Sequence, residues 1–262
     1  MIEGRAEILE NAPKGPGVFR ILLHLPALAR NAAPGQFVMA RVSDGLDPLL
    51  RRPFSIHDVF PDGSFALLYK VVGRGTEILS EKRAGELLDV LGPLGKGFGL
   101  SDQKGLVCIV GGGIGAAPLV FLARALARKG ISGRVLLGGR TGSDVLCADV
   151  FSSLGFETRI ATDDGSQGCC GFVTGLLEDD LTSPNPPEKV FGCGPHAMLE
   201  AVARICLSNK VPCEISLESV MACGMGACLG CALPRPEGGH FHVCADGPVM
   251  DASKLAPIRP VA

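Results

Sequence analysis

Leu106-Val107-Cys108-Ile109-Val110 runs into Gly111-Gly112-Gly113-Ile114-Gly115-Ala116-Ala117-Pro118 and then into a strongly helical stretch, Leu119 to Lys129. An uninterrupted apolar run of this length suits a strand covered on both faces, as in a parallel sheet. The glycines turn the chain tightly, and the helix that follows presents its N-terminal amides where a pyrophosphate can lie. The alternation then repeats. Val135-Leu136-Leu137 reads as strand, Asp144 to Leu154 as helix, Glu157 to Ala161 as strand, Val190-Phe191 as strand and Pro195 to Asn209 as helix. Such a succession predicts a parallel sheet with helices on its faces. Read as G-x-G-x-x-A, the glycine turn matches a dinucleotide fingerprint only loosely. The acid expected about 20 residues later is missing, and the next acidic residue is Asp144. Phe191-Gly192-Cys193-Gly194-Pro195 supplies a second strand-to-helix opening. Two glycine-rich openings on one carboxyl edge favour a ligand crevice over a plain tight turn.

Upstream, residues 1 to about 100 read differently. Short β-prone runs (Gly17 to Leu25, Gly35 to Val42, Phe54 to Phe60, Phe65 to Val72, Leu87 to Leu91) are divided by Ala33-Pro34-Gly35, Pro61-Asp62-Gly63 and Gly92-Pro93. Such punctuation predicts an antiparallel barrel. One short helix fits Thr76 to Arg83. Arg52 and Ser55 stand three apart across Pro53, an arrangement that aims a guanidinium and a hydroxyl at one anion if the proline bends the chain. Gly75-Thr76 opens the helix, whose amides suit a phosphate. The competing reading is a surface arginine pair beside a turn.

Downstream of Glu214 helices disappear and a Cys/Gly-rich segment runs to Pro248. Cys223, Cys228, Cys231 and Cys244 are spaced C-x4-C-x2-C-x12-C, the arrangement of plant-type [2Fe–2S] ligands. Gly224, Gly226 and Gly230 allow positive φ and bring backbone N–H groups near the sulfurs. A structural zinc site is the alternative, although zinc ribbons use paired C-x2-C motifs and only one is present. His240 and His242 flank Cys244 without the spacing of a Rieske centre.

Composition sets the outer limits. The chain has 262 residues, 47% hydrophobic and 20% charged, with 25 basic and 27 acidic side chains. A buried core is expected, and the near-neutral balance points away from nucleic acid or an anionic membrane as partner. No apolar stretch is long enough to span a bilayer. The first residues lack a signal core, and the 11 cysteines are odd in number, so a cytoplasmic, reduced protein is expected. Cys108, Cys147, Cys206 and Cys213 read as small core residues. Vicinal Cys169-Cys170 reads as ordinary loop thiols. His24, His57 and His196 read as core or surface polar groups, and no general acid–base pair stands out, so no catalytic residue is assigned.

Together these motifs resemble the ferredoxin–NADP reductase superfamily, and within it the electron-transfer subunits of class B, NAD-dependent dihydroorotate dehydrogenases. The resemblance covers nearly the whole chain, in matching order. It implies a FAD-binding barrel over 1–100, an NAD-binding α/β domain over 101–213 and a [2Fe–2S] segment over 214–262. It further implies that Arg52, Pro53, Phe54 and Ser55 hold FAD, with Leu68, Tyr69, Lys70, Gly75 and Thr76. Gly111, Gly112, Gly113 and Gly115, with Cys193, Gly194 and Pro195, are implied to line the NAD(H) crevice, and Cys223, Cys228, Cys231 and Cys244 to hold the cluster. Glu218 is implied to lie near the junction of flavin and cluster. The implied partner is an FMN-binding dihydroorotate dehydrogenase catalytic subunit, two of each chain, in pyrimidine biosynthesis, with Met221, Met225 and Leu229 at the interface. The alternative is a flavin subunit of the sulfide dehydrogenase or ferredoxin–NADP oxidoreductase type, or a stand-alone NAD(P)H:acceptor reductase. In that branch an Asp supplies the first cluster ligand, whereas this chain has Cys223.

Overall fold

Small or apolar residues alternate with charged ones along Glu3-Gly4-Arg5-Ala6-Glu7-Ile8, and this period of two makes Ile2–Gly15 a strand, β1, with Ala6 and Ile8 turned fully inward. The computed structural model describes residues 1–100 and 103–255. After β1 come β2 (Val18–His24), β3 (Phe37–Arg41), β4 (Arg52–Val59), β5 (Ser64–Lys70) and β6 (Leu87–Leu94). They close into an antiparallel barrel in the order β1-β2-β5-β4-β3-β6. Helix α1 (Pro26–Asn31) follows β2, and α2 (Arg74–Glu81) follows β5. Ile21, Leu23, Val38, Ile56, Phe65, Leu67 and Leu88 are fully buried inside, each side chain contributing about 1.5–3 kcal/mol of hydrophobic stabilisation.

Two elements differ from expectation here. Gly92-Pro93, expected as a turn, lies within β6, where the pairing with β3 slips between Phe37 and Met39. A Cβ on Gly92 would come within 2.7 Å of Val38, so the glycine serves a close strand approach rather than a reversal. Helix α2 begins at Arg74 rather than Thr76.

The other unit is built on a sheet in the order β10-β9-β8-β7-β11-β12-β15. Its strands are β7 (Val107–Gly112), β8 (Gly133–Gly139), β9 (Glu157–Thr162), β10 (Cys169–Cys170), β11 (Lys189–Cys193), β12 (Cys213–Ser216) and β15 (Val249–Asp251). All pairings are parallel except β12 with β15. Helices α3 (Ala116–Arg128), α4 (Ala148–Ser153), α5 (Val173–Thr182) and α6 (His196–Ser208) connect the strands. The chain leaves β7 in one direction through β8 and β9, then crosses back to β11 and β12 on the other side. The topological switch point therefore lies between β7 and β11. Ile109, Leu119, Leu122, Val135, Phe151 and Phe191 lie at the heart of the core beside the sheet. The described residues also form a ribbon of β13 (Ala232–Pro234) and β14 (His240–His242) and one helical turn, α7 (Val243–Asp246).

The two compact units are assembled from separated stretches. One is Met1–Gly97 with Glu218–Leu233 and Phe241–Pro248; the other is built, among the described residues, from Phe98–Leu217 with Pro234–His240 and 249–255. The cysteine-rich stretch expected as a separate segment over 214–262 is thus shared out. Its thiol-bearing parts belong with the barrel, and β15 pairs with β12 in the sheet. Residues 101, 102 and 256–262 of the expected spans lie outside the described residues. Among the described residues no helix is long and apolar enough to cross a membrane.

Candidate functional site

The barrel site is built where β4 meets α2. Arg52 lies at the start of β4 and donates from Nη1 to the Leu50 carbonyl at 2.6 Å. A Cβ on Gly75 would sit 2.9 Å from Arg52 Nε, so the absent side chain is what lets the guanidinium lie against the first turn of α2. A cation beside a helix N-terminus is electrostatically unfavourable by itself, and both groups attract an anion. Arg51, by contrast, is tied to Asp89 at 2.9 Å and to Glu3 at 2.8 Å and acts as a barrel brace. The bend expected at Pro53 is not formed. Arg52 to Val59 is one continuous strand, on which residues three apart project to opposite sides, so Arg52 and Ser55 do not share one target.

Phe54 packs edge-on against Tyr69 of β5, with ring centroids 5.7 Å apart, and Tyr69 stacks on Phe19 at 5.9 Å. Leu68 and Tyr69 are buried, whereas Lys70 is half-buried. The Thr76 hydroxyl accepts from the amides of Val72 and Gly73 and donates to the Gly73 carbonyl, so its polar capacity goes into closing the helix start.

The second site lies at the switch point. β7 and β11 are neighbours in parallel register, with Cys193 opposite Gly111, so the two glycine-rich turns emerge side by side. They interlock backbone to backbone. A Cβ on Gly115 would lie 2.5 Å from the Cys193 oxygen, and one on Gly112 would lie 2.8 Å from Pro195 Cδ. A Cβ on Gly194 would lie 2.5 Å from Met198 Cε and 3.0 Å from the Gly112 nitrogen. Gly113 takes φ +52 in the short turn before α3. The amides at the start of the 13-residue helix α3 therefore lie at the switch point, the position at which open α/β sheets bind nucleotides. At the end of β8, Arg140 Nε is bonded to Asp144 Oδ2 at 3.0 Å. His196, the first residue of α6, has a buried Nδ1 without a hydrogen-bond partner.

The third site is the thiol loop. Cys231 and Cys244 bring their sulfurs to 3.2 Å, close but well beyond the length of about 2.05 Å that a disulfide requires. Cys223 pairs instead with Cys228, whose amide donates to Cys223 Sγ at 3.4 Å. Met225 N–H also points at Cys223 Sγ, at 3.4 Å, Gly226 N–H at Cys244 Sγ, at 3.1 Å, and Gly230 N–H at Cys228 Sγ, at 3.4 Å. Positive φ at Gly224, Gly226 and Leu229 turns these amides inward. Burial resists ionisation of Cys223, but the Met225 and Cys228 amides outweigh it and draw the thiol down to about 6. Among the described residues no three His, Cys, Asp or Glu side chains surround a single point as ligands of one metal ion would. The loop offers two pairs of thiols, which suits two metal centres side by side.

A relative from Desulforamulus reducens, the dihydroorotate dehydrogenase B (NAD(+)) electron transfer subunit, is 42% identical over 249 residues, covering 94% of this chain and 95% of its own. This chain belongs to that family. A second member, from Geobacillus sp., is 39% identical over 260 residues and covers 97% of this chain and 99% of its own. Residues 218–256 match the family model of the iron-sulfur cluster binding domain of dihydroorotate dehydrogenase B, the stretch that carries all four loop cysteines. Among solved structures, an NADH-dependent reduced ferredoxin-NADP oxidoreductase studied for flavin-based electron bifurcation superposes with a TM-score of 0.86 at 28% identity. It covers 97% of this chain and 90% of its own. The expected architecture, barrel plus parallel sheet with an iron–sulfur region near the C-terminus, is borne out, and the dihydroorotate dehydrogenase reading prevails over the ferredoxin–NADP oxidoreductase alternative. The chain is an electron-transfer subunit of an oxidoreductase, and its family name implies a catalytic partner subunit.

Several expectations for single residues are modified. Cys108, Cys206 and Cys213 are buried as expected, but Cys147 is only partly buried and adopts φ +64 before α4. Asn11, not singled out by any pattern of the sequence, proves central to the barrel site through its bonds to Tyr69 and α2. An isolated Asn inside a strand pattern carries no motif that would have marked it.

Proposed function

We propose that this chain relays electrons between a dihydroorotate-oxidising catalytic subunit and NAD through a [2Fe–2S] cluster and FAD. The observation that carries the reading is the thiol loop: two pairs of cysteines, fringed by inward amides, belong to the same unit as the barrel that presents Arg52 and the α2 N-terminus. The residues fit the groups they would hold. Arg52 and the amides of Gly75 and Thr76 form a cationic corner for the flavin pyrophosphate, while Pro53, Phe54 and Ser55 on β4 and Leu68 to Lys70 on β5 line its route. Gly111 to Gly115 and Cys193 to Pro195 receive the nicotinamide nucleotide. Cys223 and Cys228 would hold one iron, and Cys231 and Cys244 the other.

When bound, the flavin supplies the exchange between hydride pairs and single electrons that NAD and an iron–sulfur cluster need in order to communicate. The protein's own work is to bind, orient and insulate. The amides aimed at the four sulfurs stabilise negative charge there. Val220, Met225 and Leu229 expose 72%, 47% and 57% of their surface at the thiol loop, and Met is well suited to adaptable docking surfaces. That patch would receive the partner, an FMN-binding subunit in an assembly of two copies of each chain.

The test is to purify the chain anaerobically, alone and with its partner, and to measure absorption, flavin, iron, sulfide and zinc. FAD with two irons and two sulfides per chain is expected. A colourless, zinc-loaded protein would overturn the reading.

A further inference from the structure

The flavin motif and the thiol loop lie far apart in sequence, yet one short strand touches both. β3 pairs with β4 so that Met39 stands opposite Pro53 and Phe37 opposite Ser55. On its other side β3 pairs with β6, where Phe37 faces Leu94. The thiol loop seats on this same edge at two places. At its front, Gly224, next to Cys223, adopts φ +72, and a Cβ there would lie 2.5 Å from Met39 Cγ, 2.9 Å from its sulfur and 3.2 Å from Leu94 Cδ1. At its back, after Cys244, the Gly247 carbonyl accepts from Lys96 N–H at 2.5 Å, and a Cβ on Gly95 would meet Pro248 at 2.5 Å and Phe37 at 2.9 Å.

We propose that Met39 is a positioning residue for electron transfer: its fully buried side chain seats the Cys223–Gly224 turn on β3 and so fixes the cluster's distance and orientation relative to the flavin motif on β4. The inference rests on the proposed function. Met39 itself is neither a thiolate ligand nor a donor to phosphate, and it is 0% exposed. An unbranched thioether fills an irregular gap between a strand and a tight turn better than a branched side chain. Gly224 makes the fit possible, because only a residue without Cβ can take this φ and this approach together. With both groups bound, the step affected would pass one electron from the NADH-reduced flavin to the oxidised cluster, the second electron staying on the flavin until the cluster is reoxidised. Its rate depends on the separation that the Met39–Gly224 contact sets, whereas hydride arrival from NADH does not.

The experiment uses the full chain carrying FAD and cluster, mixed anaerobically with NADH. Flavin bleaching is followed by absorbance and cluster reduction by freeze-quench electron paramagnetic resonance. Met39→Ala is expected to keep FAD, iron and sulfide content and the rate of flavin bleaching, and to slow cluster reduction by about tenfold or more, as a small misplacement of reacting groups does. Met39→Leu, which refills the volume, is expected to recover most of that rate. Gly224→Ala is expected to show the same defect, and the double variant with Met39→Ala to fall short of the two single defects combined, because the shortened side chain removes the clash with the new methyl while the backbone strain at φ +72 remains. Such coupling reports a direct contact. If Met39→Ala fails to hold both groups, Met39→Val takes its place with the same expectation. Cluster reduction at the unaltered rate in the loaded Met39 variant, or equal slowing of flavin bleaching, would overturn the inference while leaving the proposed function standing. An unaltered chain without cluster, or without NADH-dependent bleaching, would overturn both.

Discussion

The hydroxyl of Tyr69 donates to Asn11 Oδ1 at 3.1 Å, and the Asn11 amide donates onward to the carbonyls of Leu79 and Lys82 at 2.8 and 3.0 Å. One side chain on β1 thereby ties the end of α2 to the aromatic pair of β4 and β5. The start of the same helix meets Arg52, so Asn11 fixes the frame on which the cationic corner is built.

Burial raises the Tyr69 phenol to about 12, against the weaker opposing effect of its bond to Asn11. The raised folded-state value means that the stabilisation is full below the ordinary value near 10 and is lost as pH rises through 12. Because the chain has one tyrosine and no tryptophan, a tyrosinate difference spectrum reports this residue alone. Titration near 12 in the folded chain and near 10 in denaturant is expected; Asn11→Ala should weaken flavin retention and alter the folded-state titration. A folded-state midpoint at 10 would contradict the buried placement.

Arg52→Ala removes the charged donor from the flavin corner. A lost charge-assisted hydrogen bond is worth about 1.5–3 kcal/mol, so FAD should dissociate at roughly 10- to 100-fold higher concentration. Ser55→Ala should lower retention less, since Ser55 projects to the opposite side of β4 from Arg52 and would address a different part of a bound flavin. Dilution followed by ultrafiltration measures both. Full flavin content in Arg52→Ala would remove Arg52 from the site.

Much of this was legible in the sequence, for physical reasons that differ by element. The strand at 107–112 and helix at 116–128 announce themselves because a doubly covered strand has no polar residue to obscure it. The C-x4-C-x2-C-x12-C spacing is legible because thiolate ligation tolerates few alternatives. β1 is hidden in the sequence, since its glycine and charged residues mask the period of two, and α5 is obscured by Gly175 and the acidic pair Asp179-Asp180, weak helix formers all. The Arg52–Ser55 geometry is not legible in the sequence, because a strand can carry Pro53 where its missing N–H is not required. The seating of the thiol loop on β3 was invisible, as it depends on contacts between residues 39 and 224, which no local pattern encodes.

Gly115→Ala tests the nucleotide crevice. The new methyl would press on the Cys193 carbonyl and the Gly194 backbone, each 2.5 Å away, and backbone cannot step aside as a side chain can. Overpacking of this kind costs about 1–3 kcal/mol. The expected result is a raised KM for NADH in flavin reduction with FAD content unchanged. An unaltered KM would place the nicotinamide nucleotide elsewhere.

Cys228→Ser tests the cluster loop. Cys228 is exposed at the loop surface, so its replacement should spare the barrel while removing a ligand. Loss of cluster absorption with FAD and NADH-dependent flavin bleaching retained is expected. An intact cluster spectrum in the variant would refute the ligand assignment.

The central claim is that electrons pass through this chain between dihydroorotate and NAD, which is tested most directly by turnover. Orotate and NADH formation should be measured with dihydroorotate and NAD for this chain alone, for its FMN-binding partner alone and for the two mixed. The account predicts NAD-linked turnover only in the mixture, abolished there by Cys228→Ser. NADH formation by the isolated chain, or undiminished NAD-linked turnover by a mixture lacking the cluster, would contradict it.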